Sequence, residues 1–413
     1  MGQLFADITP LRSSPAFRRL WTGQLLSGIG SHMTVFAVAL QVYRMTSSSL
    51  AVGAIGLVSG ATGIAVGMLA GGFLDAADRR RLVLVATGLQ LLASAVLTVQ
   101  AFTGADELWL LYVLVGVQAA LMAVGAPARR TFLPHLLPAG QLTAGAALQT
   151  LAGRASWVLG PSLAGLLTAA GDLQLCYLAD TVSFLASLYA AIGLPRLERA
   201  ATARPDRGVR AIAEGLSFIT RSRVLLGVLL ADISATLLAL PVALFPAINA
   251  ERFADNPQTL GLMSTAMAVG GILGSTFSGP VGRVQRQGRG MLIAVAVWGL
   301  AIATFGLVHD LAATLLALAI ADAADVSSLA LRSTVILTAT PEALRGRVAA
   351  TDYVVGSSIP QLGNFRAGVV ATATTPTFSA VSGGLTATAA AGVLVLAFPA
   401  LVRYRADPTT HST

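Results

Sequence analysis

Apolar residues along this chain fall in long runs, separated by short polar segments that carry arginines. An α-helix needs about 20 mostly apolar residues to cross the hydrocarbon layer of a membrane. Twelve runs meet that length, at about 20–43, 49–73, 82–103, 108–128, 143–170 and 174–194, then at about 224–248, 259–281, 291–309, 312–331, 349–374 and 380–402. The segments between spans 4 and 5 and between spans 10 and 11 are longer and partly amphipathic. The only long polar region runs from about Pro195 to Arg223 and predicts a charged linker with a surface helix around Arg210–Thr220. The expected organisation is an N-terminal bundle at 1–195, a cytoplasmic linker at 196–222 and a C-terminal bundle at 223–413. The fold class is all-α, a membrane protein of twelve transmembrane helices in two pseudo-symmetric six-helix bundles.

Composition excludes the soluble alternatives. Of 413 residues, 55% are hydrophobic and 11% charged, against about 25% charged in an ordinary soluble domain. That charge cannot coat the surfaces of two or three soluble domains. The net charge of +8 does not indicate nucleic acid, because the basic residues sit singly or in short clusters between apolar runs rather than on one basic face. All 27 basic residues are Arg, and 23 of them fall at ends that share one side of the membrane. Arg44 and Arg252 fall at opposite ends, and Arg154 and Arg366 lie within spans. The positive-inside rule then places both termini in the cytoplasm of a multi-pass cell-membrane protein. Arg12, Arg18 and Arg19 precede a first apolar run too long for a signal-peptide core, so that run reads as a retained span. The single Cys176 excludes an intramolecular disulfide framework and reads as a small apolar filler.

The chain also repeats itself. At an offset of 203, Arg18 meets Arg221, Gly67 meets Gly270, Gly71 meets Gly274 and Arg80 meets Arg283. Glu107 then meets Asp310, Arg129 meets Arg332, Pro138 meets Pro341, Gly160 meets Gly363 and Gly165 meets Gly368. Each pair stands at an equivalent point in the order of spans. Parallel repeats of this kind build transporters whose halves rock about a site at their interface.

Three stretches carry candidate mechanics. The loop after span 2, Gly71 to Arg81, resembles the signature loop of the major facilitator superfamily: Gly71, an acid four residues later at Asp75, then Arg79 and Arg80. A small residue permits close helix approach, and acid and basic groups at helix ends can hold one conformation closed. Ala76 and Asp78 depart from that pattern, and the counterpart after span 8 keeps Arg283 but lacks the acid. In span 5, Gly160, Pro161 and Gly165 are similar to the Gly-Pro signature of exporters in the superfamily, where Pro removes a helix hydrogen bond and Gly allows a bend. Ordinary small-residue packing is the alternative. In span 11, Pro360-Gln361-Leu362-Gly363-Asn364 is expected to break the helix. Gln361 and Asn364 would then border the transport path, with Asp352 nearer the cytoplasm.

Ionisable residues inside spans cost about 2.5–3.5 kcal/mol at mid-bilayer, so each requires a partner or a purpose. Asp322 and Asp325, three apart in span 10, share one helical face. They read either as proton carriers or as partners of Arg332 or Arg366. Asp232 in span 7 and Asp180 in span 6 are further candidates for proton coupling, and His32 in span 1 is either titratable or a hydrogen-bonded interior group. Arg154 and Arg366 either receive an anionic substrate or neutralise a buried acid. Span 4 has no basic residue between Leu108 and Pro127, unlike many proton-coupled drug exporters.

Resemblance over nearly the whole chain is to the enterobactin-exporter-like branch of the superfamily. It is carried by Ser14-Pro15-Ala16-Phe17-Arg18, by residues 71–81, and by Arg154 with Gly160-Pro161. Phe245-Pro246 and Thr340-Pro341-Glu342-Ala343-Leu344-Arg345-Gly346-Arg347 complete it. The resemblance implies export of a siderophore or another bulky amphiphilic product across the inner membrane. With the buried acids beside it, the leading expectation is a monomer in the lipid bilayer that exports a siderophore-like molecule or a drug, driven by protons. A lysolipid or lipid flippase and a non-transporting scaffold or sensor are the competing functions. No phosphate-binding loop, metal-ligand spacing or catalytic constellation is visible, so no cofactor, metal, enzymatic activity or nucleic-acid partner is expected. The energy is then an ion gradient, at about 2.3 kcal/mol for one proton crossing 100 mV.

Overall fold

The computed structural model describes residues 7–76, 78–170, 172–195, 208–276 and 285–405. Regular structure among them is helical throughout, and twelve long helices follow the expected spans. They are α1 (Pro15–Thr46), α2 (Ser49–Ala76), α3 (Arg79–Thr103), α4 (Leu108–Arg130), α5 (Leu142–Ala170) and α6 (Leu173–Ile192). The second six are α7 (Arg223–Ala239, continued by Phe245–Arg252), α8 (Pro257–Thr276), α9 (Gln287–Leu307), α10 (Leu311–Ala339), α11 (Arg345–Ala373) and α12 (Pro376–Ala397). Among the described residues, nine helices are long and apolar enough to cross a membrane by length and composition. The other three long helices are α5, α8 and α11, which are rich in Gly, Ser and Thr.

The chain forms two compact units. Unit 1 takes the described residues within 1–46, 61–207 and 256–265, and unit 2 those within 47–60, 208–255 and 266–413. In unit 1, α1 packs on α5 and α6, and α3 packs on α4 and α6. In unit 2, α7 packs on α11 and α12, and α9 packs on α10 and α12. The four pairings are equivalent under the 203-residue repeat, so the duplication seen in landmark residues is also a duplication of packing.

Lipid competes poorly for close helix contacts only when the helices can approach, and small residues permit that approach. Gly299 of α9 and Gly384 of α12 lie backbone to backbone, and a Cβ on either would run into the other helix. The start of α2 joins unit 2 by the same device: Gly53, Gly56 and Gly60 lie on one face against Gln361, Asn364 and Phe365 of α11. Reciprocally, the start of α8 joins unit 1, with Gly261 against Gly165 and Pro161 of α5 and a 2.6 Å hydrogen bond between Ser162 Oγ and Thr265 Oγ1.

Helix α3 shows how the solvent is read from a side chain pattern. Its buried stripe includes the polar Thr87, Gln90, Ser94 and Gln100 beside Val83 and Leu97, whereas Val85, Leu92 and Val99 are 60%, 60% and 61% exposed. A helix that hides its polar residues and displays its valines and leucines faces hydrocarbon.

Three expectations need correction. Residues 360–364 do not break α11, which runs unbroken from Arg345 to Ala373 with Pro360 inside it. The break lies instead in α7, at Pro241. The residue before a proline is pushed out of the helical region, and Leu240 is extended at φ −74°, ψ 119°. Arg332 does not sit at a helix end, because α10 continues to Ala339 and leaves it buried. The surface helix of the linker runs from Gly208 to Arg221 and belongs to unit 2, with Glu214 2.9 Å from Arg347 and Ile219 packed on Leu225 and Val348; residues 196–207 lie outside the described residues.

Replacing Gly384 with Leu is expected to cost about 1–3 kcal/mol by forcing α9 and α12 apart. Thermal unfolding of the purified protein in detergent checks this, against Gly392→Leu, whose Cβ meets nothing.

Candidate functional site

Unit 2 brings ionisable groups of three helices together. Asp325 and Arg332 are seven residues apart on α10, hence two turns along one face. Arg332 Nη1 pairs with Asp232 Oδ2 of α7, and its Nε lies 3.7 Å from Asp352 Oδ1 of α11. The side chain of Arg332 is 8% exposed, and those of Asp232 and Asp352 are 16% and 27% exposed. Asp325 stands within electrostatic reach of both Asp232 and Arg332. One guanidinium therefore touches two carboxylates, with a third carboxyl group in electrostatic reach. With all of them ionised the cluster carries a surplus of negative charge, and an uncompensated buried charge costs several kcal/mol. Such a cluster can take up protons, and its guanidinium has two carboxylates to choose between. Asp322 has other neighbours: it lies over Gly271 of α8, where a Cβ would collide with its carboxylate. Arg366 pairs with neither Asp322 nor Asp325 among the described contacts.

The polar residues of α11 serve the break in α7. An interrupted helix frees backbone groups that lipid cannot satisfy. Arg366 Nη1 donates to Leu238 O, and Asn364 Oδ1 accepts from Ala243 N at 3.2 Å. Gln361 packs on Gly56 and Gly60 of α2. Gln361 and Asn364, expected to border a path, and Arg366, expected to receive an anionic substrate or neutralise an acid, thus hold the helices of unit 2 together in this structure.

In unit 1, Asp180 of α6 is fully buried and accepts hydrogen bonds of 2.8 Å from both Thr34 of α1 and Ser94 of α3. Gly160 of α5 lies against His32 of α1, whose ring packs 5.0 Å from that of Trp157. Helix α5 stays continuous through Pro161, and Gly165 is its contact with Gly261. Arg154 is half-buried on the same helix and makes no hydrogen bond or ion pair among the described residues.

The signature loop is partly visible. Gly71 and Asp75 end α2, and the side chains of 68–76 lie outside the described residues, as does Arg283. Arg79 begins α3 and is half-buried. Asp78, the departure from the family pattern, is the N-cap of α3 and accepts from the backbone N–H groups of Arg80 and Arg81, an ordinary role for Asp. Arg80 donates to Ile192 O at 2.8 Å, at the C-terminus of α6 in its own unit, where a cation is favoured by the helix dipole.

Sequence reasoning named Asp232 and Asp325 as acids in apolar runs and Arg332 as one partner for Asp325, but it did not see that Arg332 joins Asp232 of α7 and Asp352 of α11. It also missed the hydroxyls around Asp180. The signal was present: Thr34, Ser94 and Thr181 are polar positions inside apolar runs, though Ser and Thr are too common in spans to stand out alone. The open crevice of about 440 Å³ at the start of α9, lined by Gln285, Arg286, Arg289, Gly290, Ile293 and Arg405, holds none of the carboxylates.

Removing the hub isolates its acids. Arg332→Ala is expected to cost about 3–5 kcal/mol, the usual penalty for breaking a buried pair. Adding Asp232→Asn to it should recover part of that loss, as measured by thermal unfolding of single and double variants.

Over residues 5–411 the sequence matches the family described as transmembrane secretion effector, a family of the major facilitator superfamily. It is 26% identical over 404 residues to the enterobactin exporter EntS of Shigella boydii serotype 18, covering 97% of this chain and 96% of that protein. Its fold is similar to that of a POT family transporter solved in complex with 5-aminolevulinic acid, with a TM-score of 0.76, 10% identity, and 94% of this chain and 97% of that chain covered. It is also similar to a bacterial homologue of the iron transporter ferroportin in an inward-facing state, with a TM-score of 0.69, 17% identity, and 94% and 99% covered. A repeated bundle of small-residue contacts, a charged cluster inside it and a match from end to end lead to one conclusion: the chain is a multi-pass membrane transporter and belongs to the transmembrane secretion effector family of the major facilitator superfamily.

Proposed function

We propose that this transporter exports a small amphiphilic molecule, a siderophore-like anion or a drug, by alternating access coupled to proton entry. The observation that carries the reading is the excess of acid over base around Arg332. A cluster with three carboxyl groups and one guanidinium changes its internal pairing whenever a proton arrives. Protonating Asp232 weakens its hold on Arg332, which then turns to Asp352 on α11. Asp325 sets the electrostatic balance between them. Because α7, α10 and α11 each supply a member, a change of pairing alters how those helices pack, and packed interfaces respond in steps rather than continuously. Asp322, against α8, is a fourth carboxylate placed in the same cycle.

For the substrate, the end-to-end likeness to a protein named as an enterobactin exporter favours a bulky amphiphile with acidic groups. Arg154 is the span arginine left to receive it, since Arg366 is engaged with α7. The Gly160-Pro161 bend, the loop at Gly71, Asp75, Arg79 and Arg80, a monomer and cytoplasmic termini complete the proposal.

The test is accumulation of a catecholate siderophore in inverted membrane vesicles with and without an imposed pH gradient. Gradient-driven uptake by the wild type and its loss in Asp232→Asn and Asp325→Asn, with downhill exchange retained, are expected. Arg154→Gln should weaken uptake of an anionic substrate by about 10-fold, or about 1.4 kcal/mol, and spare a neutral one. Uptake indifferent to the gradient in all variants removes the coupling assignment. Movement of lysolipid but not siderophore would make the protein a flippase, and no movement of either would leave it a scaffold.

A further inference from the structure

Unit 1 holds a second buried acid for which the cluster at Arg332 has no use. Asp180 is fully buried, and among the described residues no charged group faces it: α1 brings Thr34 and Gly30, α3 brings Ser94, and α6 itself brings Thr181 and Ser183. Both hydroxyl donors, Thr34 and Ser94, go to Oδ2, while Oδ1 has no hydrogen-bond partner. Gly30 is required beside it, since a Cβ there would stand 2.6 Å from Oδ1. A carboxylate without a cation, and with one oxygen bare, needs a bound positive charge to be tolerated in hydrocarbon.

The hydroxyls form a chain leading to it. Thr98 and Thr181 hydroxyls are 2.9 Å apart, Thr181 and Ser94 hydroxyls 3.0 Å, and Ser94 donates to Asp180 at 2.8 Å. In both hydroxyl–hydroxyl contacts either oxygen can be the donor, which is the condition for passing a proton along a chain. One turn before Thr181 on α6 stands Tyr177, whose hydroxyl donates to Gln41 Oε1 at 2.6 Å. Gln41 Nε2 in turn donates to Asp106 Oδ1 at 2.7 Å, and Gln100 Nε2 donates to Gln41 Oε1 at 3.2 Å. Asp106 is exposed at the turn between α3 and α4. Two polar networks thus meet along α6, one reaching the exposed Asp106 and the other ending on Asp180, with Tyr177 and Thr181 one turn apart between them. None of this is duplicated: at the 203-residue offset, Asp180, Thr34, Ser94 and Thr181 meet Gly383, Leu237, Val297 and Gly384.

We propose that Asp180 is a proton-binding site of unit 1, loaded through Thr98, Thr181 and Ser94 from the end marked by Asp106. A hydronium ion at that mouth gives its proton to the Thr98 oxygen and is left as water, while the Thr98 hydroxyl's own proton passes to Thr181. Each hydroxyl gains one proton and gives one up, and the last O–H bond forms on the Asp180 carboxylate. The charge change is confined to Asp180, and the hydroxyls reset by rotation. If the proton-driven reading above holds, Asp180 adds a second proton site to the cycle; its occupancy is measurable without it.

The test is infrared spectroscopy of the full chain in lipid vesicles, following the carbonyl band of a protonated carboxylic acid while the bulk pH is changed. A band that titrates in the wild type, is lost in Asp180→Asn and persists in both Asp232→Asn and Asp325→Asn is expected. Thr181→Val should leave the band's equilibrium position unchanged and slow its response to a pH jump several-fold, which a merely structural hydroxyl would not do. A band unaffected by Asp180→Asn overturns the assignment, as does one abolished by sodium at constant pH, which would make the bound cation a metal ion. Because the readout needs no substrate, it stands or falls separately from export.

Discussion

Hydrocarbon offers no hydrogen bonds, so every polar group that enters it must be answered from within the protein. Two features of this transporter trace to that constraint. Small residues at helix contacts let backbones approach until side chains can reach across, as at Gly299 and Gly384. Interruptions are then tolerated where a neighbouring helix supplies partners, as α11 does for α7 through Asn364 and Arg366. A polar side chain on one span is therefore read best by asking which backbone or charge on the next span lacks a partner.

The two halves have kept one framework and divided the chemistry. Arg129 and Arg332 are equivalent under the repeat, but among the described residues only Arg332 has acids around it. The positions matching Asp232, Asp325 and Asp352 are Ile29, Met122 and Gln149, and Arg129 has only a long 3.4 Å contact with Thr87 Oγ1 among its hydrogen bonds. Conversely, the hydroxyl-bound Asp180 belongs to the first half alone. The two halves share the packing scheme, and they differ in carrying a charge-paired cluster in one and a hydroxyl cradle in the other.

Much of the fold was legible from hydropathy alone, because a span is defined by the length and apolar character of a run, and both are local. The number of long helices, their order and the linker helix followed from that. The site was legible only in part. Asp180, Asp232 and Asp325 stand out as acids in apolar runs. Their neighbours depend on which helix faces which, and that is fixed by packing between segments more than a hundred residues apart. The expected break at Pro360 shows the same limit. A proline inside a helix costs a hydrogen bond wherever it stands, yet whether the helix opens depends on its surroundings. Pro360 is accommodated within α11, while at Pro241 the helix opens and its freed groups find partners on α11.

Arg252 illustrates what such mutual satisfaction means for biogenesis. Its guanidinium donates to the carbonyls of Phe305, Gly306 and Val308 and to the Thr377 hydroxyl, stitching the last turn of α9 to the start of α12. All four acceptors are synthesised after it, the nearest 53 residues later and the last 125. While the ribosome completes α9 and α10, this cation has no finished partner set, and the closure of unit 2 around it is necessarily a late event that waits for the final helix to leave the ribosome.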